Sequence, residues 1–301
     1  MEHRIKTAEI LPYIAILFSM LIWSMSGIAT KQALVTLTPL TLVTVRFVLA
    51  VVFMLIVGLA THSLVKPQKA DIKLFIIAGF FQPFLYYVCE TYAYQALNSP
   101  TVAEVLLSTS PLFAPLFAGL ILKEKVTRNN LIGIVVSTAG VMTMVLVGNA
   151  NFAIGSSWGI LLAFLAVFTA VGYTIILKKF PARYNALSIV FYVQLSSLIF
   201  FLPTWAIVDL PHITTISLNA KATGALLYLS LFSSVIAFVL FCYSVRKIGV
   251  TRANAFNNIR PVFTALIMLI FFAEHMPALK WIAMAFVIIG LFICQKQEGT
   301  V

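Results

Sequence analysis

Ten apolar runs dominate this chain, and they leave few folds open to it. They cover residues 11–30, 39–60, 74–96, 100–122, 130–147, 158–177, 186–208, 222–245, 251–272 and 278–295. Each is close to the roughly 20 residues that a helix needs to cross the hydrocarbon core of a bilayer. Hydrophobic residues make up 61% of the 301 positions and charged residues 10%, whereas soluble domains run at roughly 45–50% apolar and about 25% charged. A soluble fold of this length cannot hide so much apolar surface, so lipid is the solvent for most of it. Helices follow, because lone strands and open sheets leave backbone groups unsatisfied in hydrocarbon. The alternating ten-residue signature of an outer-membrane barrel is absent. The expected fold class is an all-α polytopic membrane protein with ten transmembrane helices.

A formal charge of +11 would suggest a nucleic-acid partner if the basic residues clustered on one domain. They sit instead in short connectors between apolar runs, so no nucleic acid is expected. Fifteen of the 20 Lys and Arg residues fall on one side of the membrane, among them Lys66, Lys69, Lys73, Lys123, Lys125, Arg128, Lys178, Lys179 and Arg183. Only Lys31, Lys221 and Lys280 fall on the other, and Arg46 and Arg260 lie inside spans. By the positive-inside rule both termini are cytoplasmic, in a multi-pass protein of the cell's inner (plasma) membrane. The first span is too long for a cleaved leader and is followed at once by others, so it is read as retained. Cys89, Cys242 and Cys294 are too widely spaced for a metal site or a disulfide framework and are read as packing.

The chain resembles itself at a shift of 150 positions. That shift lays "STSPLFAPLFAGLILKE" over "NNIRPVFTALIMLIFFAE" and superposes Pro111 on Pro261, Phe113 on Phe263, Glu124 on Glu274 and Gly140 on Gly290. It also places Glu104 over Asn254, Ser108 over Asn258 and Ser110 over Arg260. A common offset across several weak matches is the mark of duplication. Residues 1–150 and 151–301 then form two five-helix repeats, and five being odd, the second enters the membrane inverted. Inverted repeats are a recurring plan of secondary transporters, with the substrate near the midplane.

Several features together resemble a known family: "IWSMSG" in span one, "TLVTVRF" in span two, and "YAYQALNSPTVAEVLLSTSPLFAPLFAGLILKEKVTRNNLIGIVVSTAGV" across spans three to five. They look like the ten-helix EamA-type permeases of the drug/metabolite transporter superfamily, over nearly the whole chain. The resemblance implies that spans one to four and six to nine enclose a central cavity while five and ten pack outside. It also implies ATP-independent movement of small metabolites, including amino acids, often outward. The family pattern often carries a small residue where Glu104 sits, which makes Glu104 a candidate specificity determinant.

Ionisable groups inside spans cost about 2.5–3.5 kcal/mol each on insertion scales and usually face a cavity or a partner. Arg46, Glu90, Glu104 and Arg260 are the four here. In span four, Thr101, Glu104, Ser108, Pro111 and Pro115 share an arc of about 80°. In span three, Gln82, Tyr86 and Glu90 form a stripe. In span nine, Asn254, Asn257, Asn258, Arg260 and Pro261 cover about half the circumference at about 100° per residue, and the proline should release a carbonyl one turn back. Arg46 is flanked on its own face by Leu42, Leu49 and Phe53, so its partner must come from another helix. Substrate-binding candidates are Arg260, Asn257, Asn258, Asn254, Ser108, Tyr86, Trp23 and Arg46, and the proton-coupling candidates are Glu90 and Glu104. The competing reading makes the two arginines structural ion-pair partners of Glu90 and Glu104. Trp23, Tyr173 and Tyr192 are candidate cavity aromatics, with packing as the alternative. Glu124 and Glu274, at span ends, read as caps or hinges. Gly133, Ser137 and Gly140 permit close helix contact, either internal or at a dimer face, so the chain is read as a monomer or homodimer.

An alternating-access carrier of amino acids or related zwitterions, most simply an exporter, fits these features. The alternatives are a proton-independent facilitator or importer of another organic metabolite, an intramembrane enzyme, and a channel or scaffold. Against an enzyme, His3, His62, His212 and His275 all lie in tails or connectors, no HExxH occurs, and Asp71 and Asp209 sit near span ends. No glycine-rich phosphate loop is present, and neither cofactor nor metal is expected. The expected partners are a small-molecule substrate, the lipid bilayer and protons as the candidate coupling ion.

Overall fold

In the computed structural model, residues 2–97, 106–107, 109–147, 156–211, 219–272 and 277–296 are described. Thr101, Glu104, Ser108, His212, Glu274 and His275 lie outside them. Every described regular element is helical. In chain order the α-helices are α1 (Glu2–Ala33), α2 (Pro39–Ala60), α3 (Ile72–Gly79), α4 (Tyr86–Ala96), α5 (Ser110–Leu122), α6 (Arg128–Val147), α7 (Ser157–Lys179), α8 (Ala186–Val208), α9 (Ala220–Tyr228), α10 (Ala237–Ile248), α11 (Val250–Ala255), α12 (Arg260–Phe272) and α13 (Ala278–Gln295). Two π-helical segments, Phe80–Leu85 and Leu229–Ile236, join α3 to α4 and α9 to α10.

Seven described stretches are long and apolar enough to cross a membrane: Ile10–Thr30, Pro39–Ala60, Lys69–Ala93, Ser157–Lys179, Ala186–Val208, Ala220–Ile248 and Ala278–Gln295. They coincide with the expected spans one, two, three, six, seven, eight and ten. The other three expected spans contain α5, α6 and the α11–α12 stretch. Large apolar side chains stand fully outward, Leu120 at 80%, Ile207 at 77% and Phe292 at 76% exposure. Apolar surface on that scale is at home in lipid and not in water.

The chain divides into two compact units, each drawn from both halves of the sequence: Met1–Val88 with Lys179–Ser244, and Cys89–Lys178 with Val245–Val301. In the first, α2 packs along α8 and against Leu229–Ile236, α1 packs against α9 and the same π segment, and α3 packs against α8. Its core includes Ala29, Ala33, Leu37, Leu42, Ala225, Leu226 and Leu229. In the second, α6 lies along α13 and α5 meets α11.

The α6–α13 contact is close because its seam lacks side chains. A Cβ on Gly133 would sit 2.4 Å from the Gly290 carbonyl oxygen, and one on Gly290 would sit 2.4 Å from Ser137 N. Small residues let backbones approach in this way. The Gly133, Ser137 and Gly140 face is therefore spent inside the protein, against Ala283, Val287, Gly290 and Cys294, and is not a free dimer surface.

Span three departs from the expected regular helix. The Gln82–Pro83 peptide is cis, and Gln82 has φ −152° and ψ 122°, an extended conformation that kinks the rod at the proline. The polar stripe expected from Gln82 through Tyr86 to Glu90 is broken at its first member, because 100° per residue cannot be counted across a kink.

Candidate functional site

The first unit gathers its polar groups around Arg46, whose side chain is 4% exposed. Arg46 points off its own apolar face, as its neighbours Leu42, Leu49 and Phe53 require. Its Nε donates to Ser234 Oγ at 2.6 Å, and its Nη2 donates to Ser233 Oγ at 2.9 Å and to the Tyr87 hydroxyl at 3.1 Å. The guanidinium also lies over the Tyr87 ring, 4.7 Å from its centroid, an orientation favoured by the ring quadrupole.

The local backbone explains why two adjacent serines can both face one arginine. Ser233 and Ser234 lie in the π segment Leu229–Ile236, where the widened turn shifts the side-chain register and disturbs the carbonyl ladder. The carbonyls of that segment find side-chain donors instead. Trp23 Nε1 donates to the Ser233 carbonyl at 3.0 Å, and Gln194 Nε2 donates to the Ser234 carbonyl. Trp23 is fixed by packing as well, with its ring centroid 5.2 Å from those of both Phe238 and Phe241. Trp23 and Arg46 thus meet at Ser233, one on its carbonyl and one on its hydroxyl. Tyr173 is buried, at 1% exposure, which agrees with packing. Tyr192 sets its ring against Phe75 and Phe191.

In the second unit the "NNIRP" stretch is irregular, as expected, but its backbone is not left open. Phe256–Ile259 forms a 3-10 turn between α11 and α12. Pro261 has no N–H for the Asn257 carbonyl, and the N–H of Arg260 takes that carbonyl instead. Tightening to a 3-10 turn closes the gap that the proline opens, which corrects the expected free carbonyl. Asn258 is fully buried, and its Nδ2 donates to Ser137 Oγ at 2.8 Å and Thr138 Oγ1 at 3.0 Å. Asn254 turns inward onto its own helix, donating to the Val250 carbonyl at 3.0 Å. Asn257 Nδ2 lies 3.5 Å from Asn254 Oδ1, at the limit of a hydrogen bond. Arg260 and Asn257 are partly exposed, as are Tyr86 and Glu90 in α4. Ser108 and Glu104 lie outside the described residues.

Two carboxylates serve as caps supplied from elsewhere in the chain. Lys123 is left-handed at φ 54°, which turns the chain after α5 so that Glu124 Oε2 accepts from the Val250 N–H at 3.2 Å. The cap expected of Glu124 is therefore made, onto the start of α11. In the first unit Asp209 Oδ2 accepts from Thr41 N at 2.7 Å and Thr41 Oγ1 at 3.0 Å, and also from Thr38 Oγ1. It caps the positive N-terminal end of α2, where an anion is favoured.

Sequence reasoning missed Tyr87, Ser233, Ser234 and Gln194. Gln194 could have been found as the lone amide of its span. "SLFSS" carried a signal too, since three serines in five residues of a span call for partners.

Comparison with known proteins follows the same lines. The EamA-like transporter family matches twice, over residues 10–146 and 157–294. An uncharacterized transporter of Bacillus subtilis, YetK, is 26% identical over 251 residues, covering 82% of this chain and 76% of its own. A probable terminal-alkyne amino-acid exporter of Streptantibioticus cattleyicolor is 25% identical over 232 residues, 77% of this chain and 76% of its own. A protein of known crystal structure superposes with a TM-score of 0.77 at 19% identity, covering 96% of this chain and 97% of that one, a likeness of fold alone. With the family matched over nearly all of its length, in two successive copies, this chain belongs to the EamA-like transporter family.

Proposed function

We propose that the protein is a secondary, ATP-independent carrier of small polar metabolites, with amino acids or related zwitterions as its cargo, exporting them by alternating access. In this reading ten helices cross the inner (plasma) membrane as two inverted five-helix repeats, residues 1–150 and 151–301, with both termini cytoplasmic. The observation that carries it is the twofold family match, which makes the chain a transporter built of two like halves. The polar cargo is supported by Arg46, an ionisable group held deep in an apolar span, where such groups mark substrate or ion pathways. A relative named as a probable amino-acid exporter supports the cargo class and direction. The backbone adds one point in favour of the repeat: Phe80–Leu85, moved on by 150 positions, falls inside Leu229–Ile236, so both π segments occupy the same place in their halves.

Arg260, Asn254, Asn257, Asn258, Ser108, Tyr86, Trp23 and Arg46 are the candidate substrate groups, with Glu90 and Glu104 as candidate proton carriers. The test is flux in proteoliposomes under an imposed pH gradient, screening amino acids with wild type, Arg260→Ala and Glu90→Gln. Saturable flux lost in Arg260→Ala, and loss of only the pH dependence in Glu90→Gln, are the expected results. Flux unchanged in both variants would sink the site assignment, and transport that is never saturable would sink the carrier. Labelling of single cysteines at Val35 and at Gln68 from each side of the membrane tests the orientation, Gln68 being expected inside.

A further inference from the structure

Arg46 carries a full charge, and none of the side chains that hold it neutralises that charge. Outside residues 2–9 of α1, the carboxylates among the described residues of its unit are Asp71 and Asp209, and both are engaged elsewhere. Asp71 accepts from Arg183 and Tyr184, and Asp209 caps α2. The groups that hold Arg46 are neutral: two hydroxyls, a phenol and an aromatic face. A buried ionisable group usually pairs with an opposite charge, and here the side chains that hold it supply position without charge.

The investment in position is large. Span two supplies the arginine, span three Tyr87, and span eight Ser233 and Ser234. Spans one and seven supply Trp23 and Gln194, which hold the backbone of those two serines. Helix packing alone does not call for this. If the halves are repeats, span seven against span three corresponds to span two against span eight. That contact is closed by Ser196 Oγ on the Phe75 carbonyl at 2.9 Å, with Gly79 beside it, so an uncharged serine stands where the shift of 150 places Arg46.

We propose that Arg46, aimed by Ser233, Ser234 and Tyr87, binds the carboxylate of the transported solute. This rests on the carrier reading above and names what that carrier must recognise. Nε and Nη2 are committed to the protein, so the two-pronged guanidinium faces that carboxylate and phosphate both accept are already spent. Nη1 donates to no described group, and one such charge-assisted bond suits a singly charged carboxylate. Ser233, Ser234 and Tyr87 are positioning residues: they grip the near side of the guanidinium and fix the direction of its remaining nitrogen.

The test is ligand binding to the full-length protein in nanodiscs, read as thermal stabilisation at constant ionic strength. The probes are the twenty common L-amino acids, each paired with its own carboxamide. Wild type should bind at least one acid about 10- to 100-fold more tightly than its amide, the range of a hydrogen bond to a charged group. Arg46→Gln should lose that preference while still binding acid and amide equally. Ser234→Ala keeps the charge and frees Nε, so it should weaken the preference in part, and it serves where Arg46→Gln does not fold. Equal binding of acid and amide by wild type overturns the proposal. So does a preference that survives intact in both variants, or no binding by any acid in the panel. Saturable flux of a solute lacking a carboxylate would leave the carrier standing and remove the carboxylate site, whereas a failed carrier shows no saturable flux of any solute.

Discussion

Replacing Gly249 with alanine should destabilise the protein by two separable routes that meet at Glu124. Gly249 has φ 92° and ψ 167°, a region open almost only to glycine, and an alanine held there carries about 1–3 kcal/mol of strain. Its Cβ would also lie 2.0 Å from Glu124 Oε1, far inside contact distance. The carboxylate must therefore leave, and the Val250 N–H loses its acceptor. Losing a helix cap is worth about 0.5–2 kcal/mol, giving a total of about 1.5–5 kcal/mol for Gly249→Ala. At roughly 2–4 °C per kcal/mol for a chain of a few hundred residues, its thermal midpoint should fall by several degrees or more.

Glu124→Ala should cost the cap alone, and the double variant should cost less than the two singles together, because the cap can be lost only once. The assay is thermal unfolding of the four proteins in one detergent. A Gly249→Ala midpoint within about 1 °C of wild type would refute the strain argument, since about 1 kcal/mol already moves it by roughly 2–4 °C. Strict additivity would refute the link to Glu124.

Asp209→Ala should cost about 1–3 kcal/mol by removing the acceptor of Thr41 N and of two threonine hydroxyls. Asp209→Asn should cost less in the same melt, since one acceptor remains. Gly290→Ala should lose about 1–3 kcal/mol or more by overpacking, because its Cβ would meet backbone at 2.4 Å. Gly224→Ala, with nothing within 4 Å, should not fall at all. Cys89, Cys242 and Cys294 are at most 2% exposed, so a maleimide should label none of them until the protein is unfolded.

Much of the fold was legible because lipid imposes a crude and reliable code. Seven of the ten expected runs are matched by described helices long and apolar enough to span. The rule that Arg46 must find its partner off its own helix followed from its three apolar neighbours, and the partners do lie on spans three and eight. Which tyrosine would reach it was not legible. Counting round a helix put Tyr86 on the polar stripe of span three and passed over Tyr87, yet the hydroxyl that reaches Arg46 is that of Tyr87. Asn258 shows the same limit. Periodicity placed it on a polar face, and the fold brings Ser137 and Thr138 of α6 to meet it. Polar periodicity identifies a face, whereas the neighbour that covers that face comes from far along the chain.

The two π segments carry this a step further. At the 150-residue shift Pro83 falls on Ser233 and Phe84 on Ser234. Both places interrupt the regular ladder, yet they do so by different means. One uses a proline that cannot donate, and the other a widened turn whose carbonyls are caught by Trp23 and Gln194. If the halves arose by duplication, the interruption was kept while its chemistry changed, so the break itself is useful to the fold and not an accident of either residue. Only the serine version offers hydroxyls, and those hydroxyls hold Arg46. Replacing Ser233 with proline should then keep the break but cost Arg46 one of the two acceptors of Nη2. A Ser233→Pro variant that folds and still prefers an acid to its amide would mean that the serines matter for backbone shape alone.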